Sequence, residues 1–196
     1  MPVLGANYVR KILAATIMLM AVLAQSVVGA AAQEVHNTSY VNNADERVLR
    51  IETVVPASVE NVWKAWTTAQ ELSKWIAPVV AIDLRIGGTI STNYDEKAII
   101  GNTGTIQLPI INCLEKEIIT LKVNLNESFP KKVRDEDRNL QEIVQIVNLG
   151  NGKTKIVSSM VGWGTGKDWD QTYELFARGN EWTYRQLAKY LSSHHT

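Results

Sequence analysis

The side chains best suited to chemistry lie near the C-terminus, between Asp168 and Leu191. Aromatic, hydroxyl and amide side chains recur there every three or four positions, which places them on one face of a long helix. Small-molecule sites are mostly apolar and carry a few oriented polar groups. The pattern therefore predicts an apolar pocket against this helix. The face consists of Trp169, Tyr173, Phe176, Asn180, Thr183, Leu187 and Leu191.

Aromatic residues elsewhere in the chain would complete the wall of this pocket, and Asn93, Asn112 and Asn180 would supply polar handles. For any one aromatic residue, packing in the core is the alternative interpretation, because such side chains also fill protein interiors. The cluster as a whole favours ligand contact, since it gathers on the predicted helix and the strand next to it. The residues predicted to bind a ligand are Trp75, Asn93, Tyr94, Trp163, Trp169, Tyr173 and Phe176.

Residues typical of hydrolytic or metal-dependent catalysis do not form a recognisable set. The histidines are His36, His194 and His195, outside the body of the predicted domain, where a Ser/His/Asp or Cys/His arrangement would need one. The chain lacks both a glycine-rich phosphate loop and a Gly-x-Ser-x-Gly nucleophile elbow. Acid–base catalysis by Asp83 or Asp95 stays open as an alternative. We therefore predict no catalytic residue, metal site or cofactor.

Residues 1–32 have the pattern of a secretory signal peptide. A short basic region precedes an uncharged apolar run, and Ala30 and Ala32 fit the small-residue positions before a cleavage site. The run is shorter than the roughly 20 residues that a membrane-spanning helix needs, although an uncleaved anchor remains the alternative. We predict cleavage after Ala32, with Ala24 or Ala30 as alternatives, and export to the periplasm or the medium with no membrane segment left.

The charge and cysteine content narrow the range of partners. Without residues 1–32 the chain loses two of its 20 basic residues and none of its 20 acidic ones, so the net charge is −2. Nucleic acids and anionic membrane surfaces need a concentrated basic patch, so we predict neither as a partner. The single cysteine, Cys113, excludes an intrachain disulfide. Its apolar neighbours favour a small buried residue over a reactive thiol.

The elements that must position the pocket follow from periodicity and turn residues. A polar linker is predicted at residues 33–46 and one folded domain at residues 47–192. Ser58 is a predicted N-cap, and two short helices, at about residues 59–66 and 69–75, follow the first strand. Consecutive strands joined by short turns indicate an antiparallel sheet with helices on one face, an α+β fold. The seven predicted strands span residues 47–55, 79–86, 89–94, 103–111, 117–125, 140–149 and 153–163, before the long helix.

Two local features have alternative interpretations. The charged segment at residues 126–139, which joins two predicted strands, is either a lid over the pocket mouth or a solvated hairpin extension. Gly179 lies inside the predicted long helix, where glycine costs about 1 kcal/mol relative to alanine. It marks either a kink or a close contact between helix and sheet.

Several short sequence words resemble the Bet v 1/START-like (SRPBCC) helix-grip superfamily, and within it the family related to the C-terminal domain of the Hsp90 ATPase activator Aha1. The resemblance covers about residues 47–192. It implies a seven-stranded antiparallel sheet curved around a long C-terminal helix, an apolar cavity between them, and two short helices that close one end. The matching words are Val54–Ser58, Val62–Thr67, Leu72–Pro78, Asp83–Gly88, Gly162–Gly164 and Trp182–Leu191.

The resemblance implies a non-enzymatic domain that binds a hydrophobic or lipid-like small molecule in that cavity. It carries no shared catalytic residues. A protein-interaction module of the cell envelope, co-chaperone-like and bound to an envelope protein, is the first alternative. A small-molecule cyclase-like enzyme is the second. Export would keep the protein away from cytosolic Hsp90, so Hsp90 itself is not the expected partner.

Overall fold

The structure is a computed structural model that describes residues 34–136 and 139–194. Within these residues it contains nine β-strands and four α-helices. The predicted signal peptide, residues 1–32, lies outside the described residues. None of the four described helices is long and apolar enough to cross a membrane.

The strands form one antiparallel sheet in the order β1-β3-β9-β8-β7-β6-β5-β4, and β2 also pairs with β3. The helices are α1 (Val59–Thr67), α2 (Ala69–Leu72), α3 (Lys131–Asp135) and α4 (Lys167–His194). This arrangement confirms the predicted α+β helix-grip fold, although the described sheet has nine strands rather than seven. The strands are β1 (Val35–Asn37), β2 (Tyr40–Val41), β3 (Arg47–Val55), β4 (Val79–Ile82), β5 (Thr89–Asn93), β6 (Ile106–Leu114), β7 (Ile118–Lys122), β8 (Gln141–Gly150) and β9 (Lys153–Val161).

The two additional strands lie in the segment predicted to be a linker. Val35 of β1 pairs with Thr53 of β3 and is buried, and Tyr40 of β2 pairs with Val48. The polar residues that suggested a tether form the turns instead, because the side-chain oxygen of Asn42 accepts hydrogen bonds from two backbone amides. The segment therefore pairs with an edge of β3 that would otherwise leave backbone groups unpaired.

The two short helices pack together through Trp75. Ser58 caps α1 as predicted, since its hydroxyl accepts the amide of Asn61 at 3.2 Å. The second helix ends at Leu72, three residues before the predicted end at residue 75. The indole nitrogen of Trp75 then donates to the carbonyl of Ala65 at 2.9 Å, which holds the residues after α2 against α1.

The long C-terminal helix is the predicted one, extended to 28 residues. Its buried side includes Tyr184, Leu187 and Leu191, whereas Phe176 and Thr183 are only half-buried. Gly179 makes no close contact with the sheet, because it is exposed and a Cβ added there would meet nothing within 4 Å. The interpretation of Gly179 as a close contact was wrong, and a kink at this position stays a prediction.

The turn between β4 and β5 is longer than a two-residue hairpin. β4 ends at Ile82, and residues 83–88 close back on themselves through backbone hydrogen bonds such as that from Gly88 to Arg85. Gly88 has no space for a side chain, since a Cβ would lie 2.0 Å from the carbonyl oxygen of Asp83. The strand that follows β5 is shifted by three residues from its predicted bounds, to Ile106–Leu114.

Candidate ligand-binding cavity

A cavity of about 230 Å³ lies between α4 and the sheet; we call it the α4 cavity. Every strand from β5 to β9, or the segment next to it, contributes to its wall, and α1 contributes one tryptophan. The wall is mostly apolar, with hydroxyl, amide and carboxyl groups at a few positions. Its lining residues are Trp66, Ile76, Thr92, Tyr94, Ile106, Leu108, Val123, Asn124, Asn126, Phe129, Glu142, Met160, Phe176, Asn180 and Thr183.

The helical side of the α4 cavity is one row of the predicted face. Phe176, Asn180 and Thr183 are spaced by four and three residues, so their side chains stand above one another on α4. The amide nitrogen of Asn180 lies 3.0 Å from the sulfur of Met160. This row supplies an aromatic ring, an amide and a hydroxyl to the cavity.

A carboxyl group, Glu142 of β8, faces the α4 cavity from the sheet. Its Oε1 accepts hydrogen bonds from the hydroxyls of Ser158, at 2.8 Å, and Tyr184, at 3.0 Å. Burial raises the pKa of Glu142, and the two hydroxyl donors oppose that shift without cancelling it. The neutral form of Glu142 is therefore more favourable in the cavity wall than it would be in water.

Glu142 was missed by the sequence reasoning, although a signal for it exists. Side chains two residues apart in a strand share a face. Leu140, Val144 and Ile146 are buried, so Glu142 belongs to an inward-facing row of β8. A glutamate in register with three apolar residues indicates a carboxyl group that faces the protein interior.

Trp66 of α1 adds a second unusual polar group beside the cavity. Its indole nitrogen is buried and has no hydrogen-bond partner among the described residues. The ring packs at 6.0 Å from the ring of Tyr184 and at 5.0 Å, edge-on, from that of Trp75. Because the nitrogen itself is covered, a molecule in the cavity would meet the ring of Trp66 and not its N–H.

The structure brings only two of the seven predicted site residues into the wall of the α4 cavity. Tyr94 lies at the wall with 57% of its surface exposed, and Phe176 lines it from the helix. Ligand contact by these two residues stays a prediction. Of the other polar handles, Asn180 lines the cavity, whereas Asn112 is exposed on β6.

Three of the remaining predicted residues form an aromatic cluster next to the cavity. Trp163 packs edge-on against Tyr173 at 4.9 Å, Phe176 at 5.6 Å and Trp169 at 6.4 Å. The indole of Trp163 donates to the carbonyl of Met160, and that of Trp169 donates to Glu136 at 2.5 Å. Trp163 and Trp169 are therefore packed in the core of this structure, as the alternative interpretation of these aromatic residues had it.

Tyr173, Trp75 and Asn93 also have structural contacts of their own. Tyr173 lies under the guanidinium of Arg47, at 5.0 Å from the ring centre. Trp75 is buried against Trp66. Asn93 is buried and donates to Thr103 and Thr105, so it holds the loop after β5 closed. None of these three side chains lines the α4 cavity.

The charged segment at residues 126–139 packs onto the domain. The ring of Phe129 stacks on that of Phe176 with centroids 5.5 Å apart, and both line the α4 cavity. Val133 of α3 is buried, while the charged residues Lys131 and Arg134 are exposed. The interpretation as a purely solvated hairpin extension was therefore wrong for its described part, which forms one wall of the cavity.

The electrostatics of the cavity are set by Glu142. No lysine, arginine or histidine is found among the described residues that line it. Cys113 is half-buried and lies outside it, and burial together with the charge of Glu115 raises the pKa of that thiol. Within residues 34–136 and 139–194, no group of three or more His, Cys, Asp or Glu side chains is placed to hold a metal ion.

The family of the chain follows from residues 56–192, which match the family model described as "Activator of Hsp90 ATPase homolog 1-like protein", AHSA1. The chain belongs to this family. The match spans α1, the cavity strands and almost all of α4, so it includes every lining residue of the α4 cavity. It confirms the resemblance to the Aha1-related branch of the helix-grip superfamily. No curated protein sequence gives a significant match.

Solved structures similar to the chain share its fold. CalU16 from Micromonospora echinospora superposes with a TM-score of 0.57 at 19% identity, covering 82% of this chain and 87% of that one. The Aha1 dimer from Colwellia psychrerythraea gives 0.55 at 16% identity, covering 74% and 96%. An HSP90 activator from Plasmodium falciparum gives 0.52 at 17% identity, covering 71% and 90%. At these identities the AHSA1-like chain is shown to share the fold of these proteins and no more.

Proposed function

We propose that the protein is exported and binds a hydrophobic small molecule, without catalysis, in the α4 cavity. The observation that carries the proposal is the cavity itself, about 230 Å³ between the sheet and α4 with a mostly apolar wall. Moving apolar surface out of water contributes about 25 cal/mol per Å², from which the entropic cost of association is subtracted. The few polar groups among the apolar ones would orient the ligand.

The cavity volume supports a compact ligand. An engineered apolar cavity of about 150 Å³ binds benzene, and pockets for drug-sized molecules span about 300–1,000 Å³. A cavity of about 230 Å³ lies between these cases. It is suited to a molecule of one or two rings, or a short branched chain, and is too small for a long acyl chain.

Export is supported by the signal-peptide pattern of residues 1–32. We expect the mature protein to be recovered from the periplasm or the medium, with Gln33 as its first residue. Intact-mass spectrometry of the protein from its own host measures this directly. A full-length protein that is recovered from the cytoplasm would contradict the export part of the proposal and leave ligand binding untouched.

Ligand binding is tested by native mass spectrometry of protein purified from its own host, followed by organic extraction. We expect a small apolar molecule bound at one copy per chain. Thr183→Phe places a ring in the cavity from α4 and should abolish the bound species. Arg185→Phe adds the same ring at an exposed position of the same helix and should retain it. Protein that is always recovered empty, with side chains filling the cavity in a crystal structure, would contradict the proposal.

A further inference from the structure

The carboxyl group of Glu142 limits the chemistry of any molecule in the α4 cavity. Its Oε1 is engaged by the hydroxyls of Ser158 and Tyr184. Its Oε2 has no hydrogen-bond partner within residues 34–136 and 139–194. Oε2 keeps some exposure to solvent, so an apolar ligand that covers it removes its contact with water and leaves it unpaired, which is unfavourable. A ligand that hydrogen-bonds to Oε2 therefore gains affinity over an apolar molecule of the same shape.

The remaining polar groups of the wall are neutral hydroxyls and amides, from Thr92, Tyr94, Asn124, Asn126, Asn180 and Thr183. The lining residues include no basic side chain that could balance a negative charge. An anionic ligand would have to leave water without a counter-charge and approach Glu142, and both are costly. Carboxylates such as fatty acids are therefore disfavoured.

A cationic ligand is also disfavoured, for a different reason. An ammonium group would pair with the ionised form of Glu142, which burial makes less favourable than it is in water. Forming an ion pair in the interior removes both charges from water, and the attraction between them often does not offset that cost. A hydroxyl group avoids this problem, because it can donate to an ionised carboxylate and can accept from a neutral acid.

We propose that the α4 cavity binds an uncharged, compact alcohol or phenol whose hydroxyl hydrogen-bonds to Glu142, and that it excludes fatty acids and other anionic lipids. This inference rests on the proposed function and specifies its ligand class. It narrows the hydrophobic or lipid-like ligand expected from the sequence to a small molecule with one neutral polar end.

The test uses one bicyclic scaffold with four polar ends. Tetralin, 1-tetralol, 1-aminotetralin and tetralin-1-carboxylate are titrated into the full chain at neutral pH by isothermal calorimetry. A hydrogen bond to a group that the ligand would otherwise cover and leave unpaired corresponds to about tenfold in affinity or more. We expect 1-tetralol to bind at least about tenfold more tightly than tetralin, and the two charged analogues to bind more weakly than tetralin.

Variants at Glu142 distinguish a hydrogen bond to the ligand hydroxyl from an effect of the charge of Glu142. Glu142→Gln can still donate and accept, so it should keep the preference for 1-tetralol. Glu142→Leu should remove that preference and leave tetralin binding intact. Glu52→Gln, which changes a carboxyl group of β3 outside the cavity, is the matched control and should bind like the unchanged protein. If Glu142→Leu does not fold, the ranking of the four probes and the affinity of Glu142→Gln for 1-tetralol still test the proposal.

Equal affinity for tetralin and 1-tetralol would overturn this inference and leave the proposed function standing. Tightest binding of 1-aminotetralin, lost in Glu142→Gln, would replace it with a cation site. Tightest binding of the carboxylate would also overturn it. If none of the four probes binds, the inference fails, and the proposed function fails with it only if the native protein is also recovered empty.

Discussion

Glu142 is the residue whose charge state links the cavity to the stability of the domain. Burial raises its pKa above the ordinary value of 4.5. A group with a raised folded-state pKa contributes stability that is fully present below the unfolded value and is lost as the pH rises through the folded value. The free energy of unfolding should therefore fall, relative to that of Glu142→Gln, as the pH is raised above 4.5. Urea unfolding of both proteins across a pH series measures the difference.

Glu52 is the control for this pH prediction, because its shift has the opposite sign. The hydrogen bond from Lys155, together with the charge of Arg50, lowers the pKa of Glu52. Its contribution is present above the unfolded value and is lost as the pH falls. Glu52→Gln should therefore differ most from the unchanged protein at neutral pH, and least in acid. Parallel stability curves for Glu142→Gln and the unchanged protein would show that Glu142 is not perturbed by burial.

Phe176 and Leu187 lie on the same helix, but they should affect different properties. Phe176→Ala removes a ring from the cavity wall and its stacking on Phe129. It should speed the release of a bound ligand. Leu187 is fully buried away from the cavity, so Leu187→Ala should lower the free energy of unfolding by about 2–5 kcal/mol. Ligand dissociation kinetics and urea unfolding, measured on both variants, separate the two effects.

An equal loss of stability in both variants, with ligand release unchanged, would assign Phe176 to the core like Leu187. In that case the cavity would not be the binding site, and the stacking of Phe129 on Phe176 would be purely structural.

At the scale of elements, a glycine inside α4 lowers the stability of this helix. Gly179 is exposed in the middle of the helix with free space around it. Gly179→Ala should raise the free energy of unfolding by about 0.5–1 kcal/mol, since alanine loses less conformational freedom in a helix. Thermal unfolding monitored by circular dichroism checks this.

Gly164, just before α4, is the control for Gly179, because we expect the opposite effect when it is replaced by alanine. A Cβ at that position would lie 2.1 Å from the indole nitrogen of Trp169. Gly164→Ala should therefore lower the unfolding midpoint, while Gly179→Ala raises it. Stabilisation by both changes would mean that Trp169 does not pack on Gly164 as the structure has it.

At the scale of the whole molecule, β1 and β2 cover the outer edge of β3. Val35 is buried, and the side-chain amide of Asn37 donates to Glu181 of α4 at 2.9 Å. A chain that begins at Arg47 lacks both strands and exposes the backbone groups of β3. Compared with a chain that begins at Gln33, it should lose about 1.5–3 kcal/mol of unfolding free energy, the contribution of one buried valine.

Urea unfolding and light scattering of the two chains test this expectation. Equal stability and equal solubility would support the original interpretation of residues 33–46 as a linker. A less stable chain that self-associates would assign the segment to the domain.

Local pattern alone determined the α+β class, the order of most elements and the long helix. These features depend on residue periods of two and 3.6, on Ser58 as a cap and on turn glycines, all of which act over a few residues. Most element ends moved by a few residues, because pairing partners decide where a strand stops.

Tertiary structure alone decided which aromatic residues face the cavity and which fill the core. The sequence pattern does not distinguish Trp163 from Phe176 as a ligand contact. Only Phe176 lines the α4 cavity, because α4 positions its ring there and Phe129 stacks on it. The pairing of β1 with β3 depends in the same way on a free edge that no local pattern reveals. The carboxyl of Glu142 is held by Tyr184, 42 residues away along the chain. Contacts over such separations depend on the packing of the complete fold. The inward direction of Glu142 could therefore be inferred from its strand register, whereas its hydrogen bond with Tyr184 and its place in the cavity wall could not.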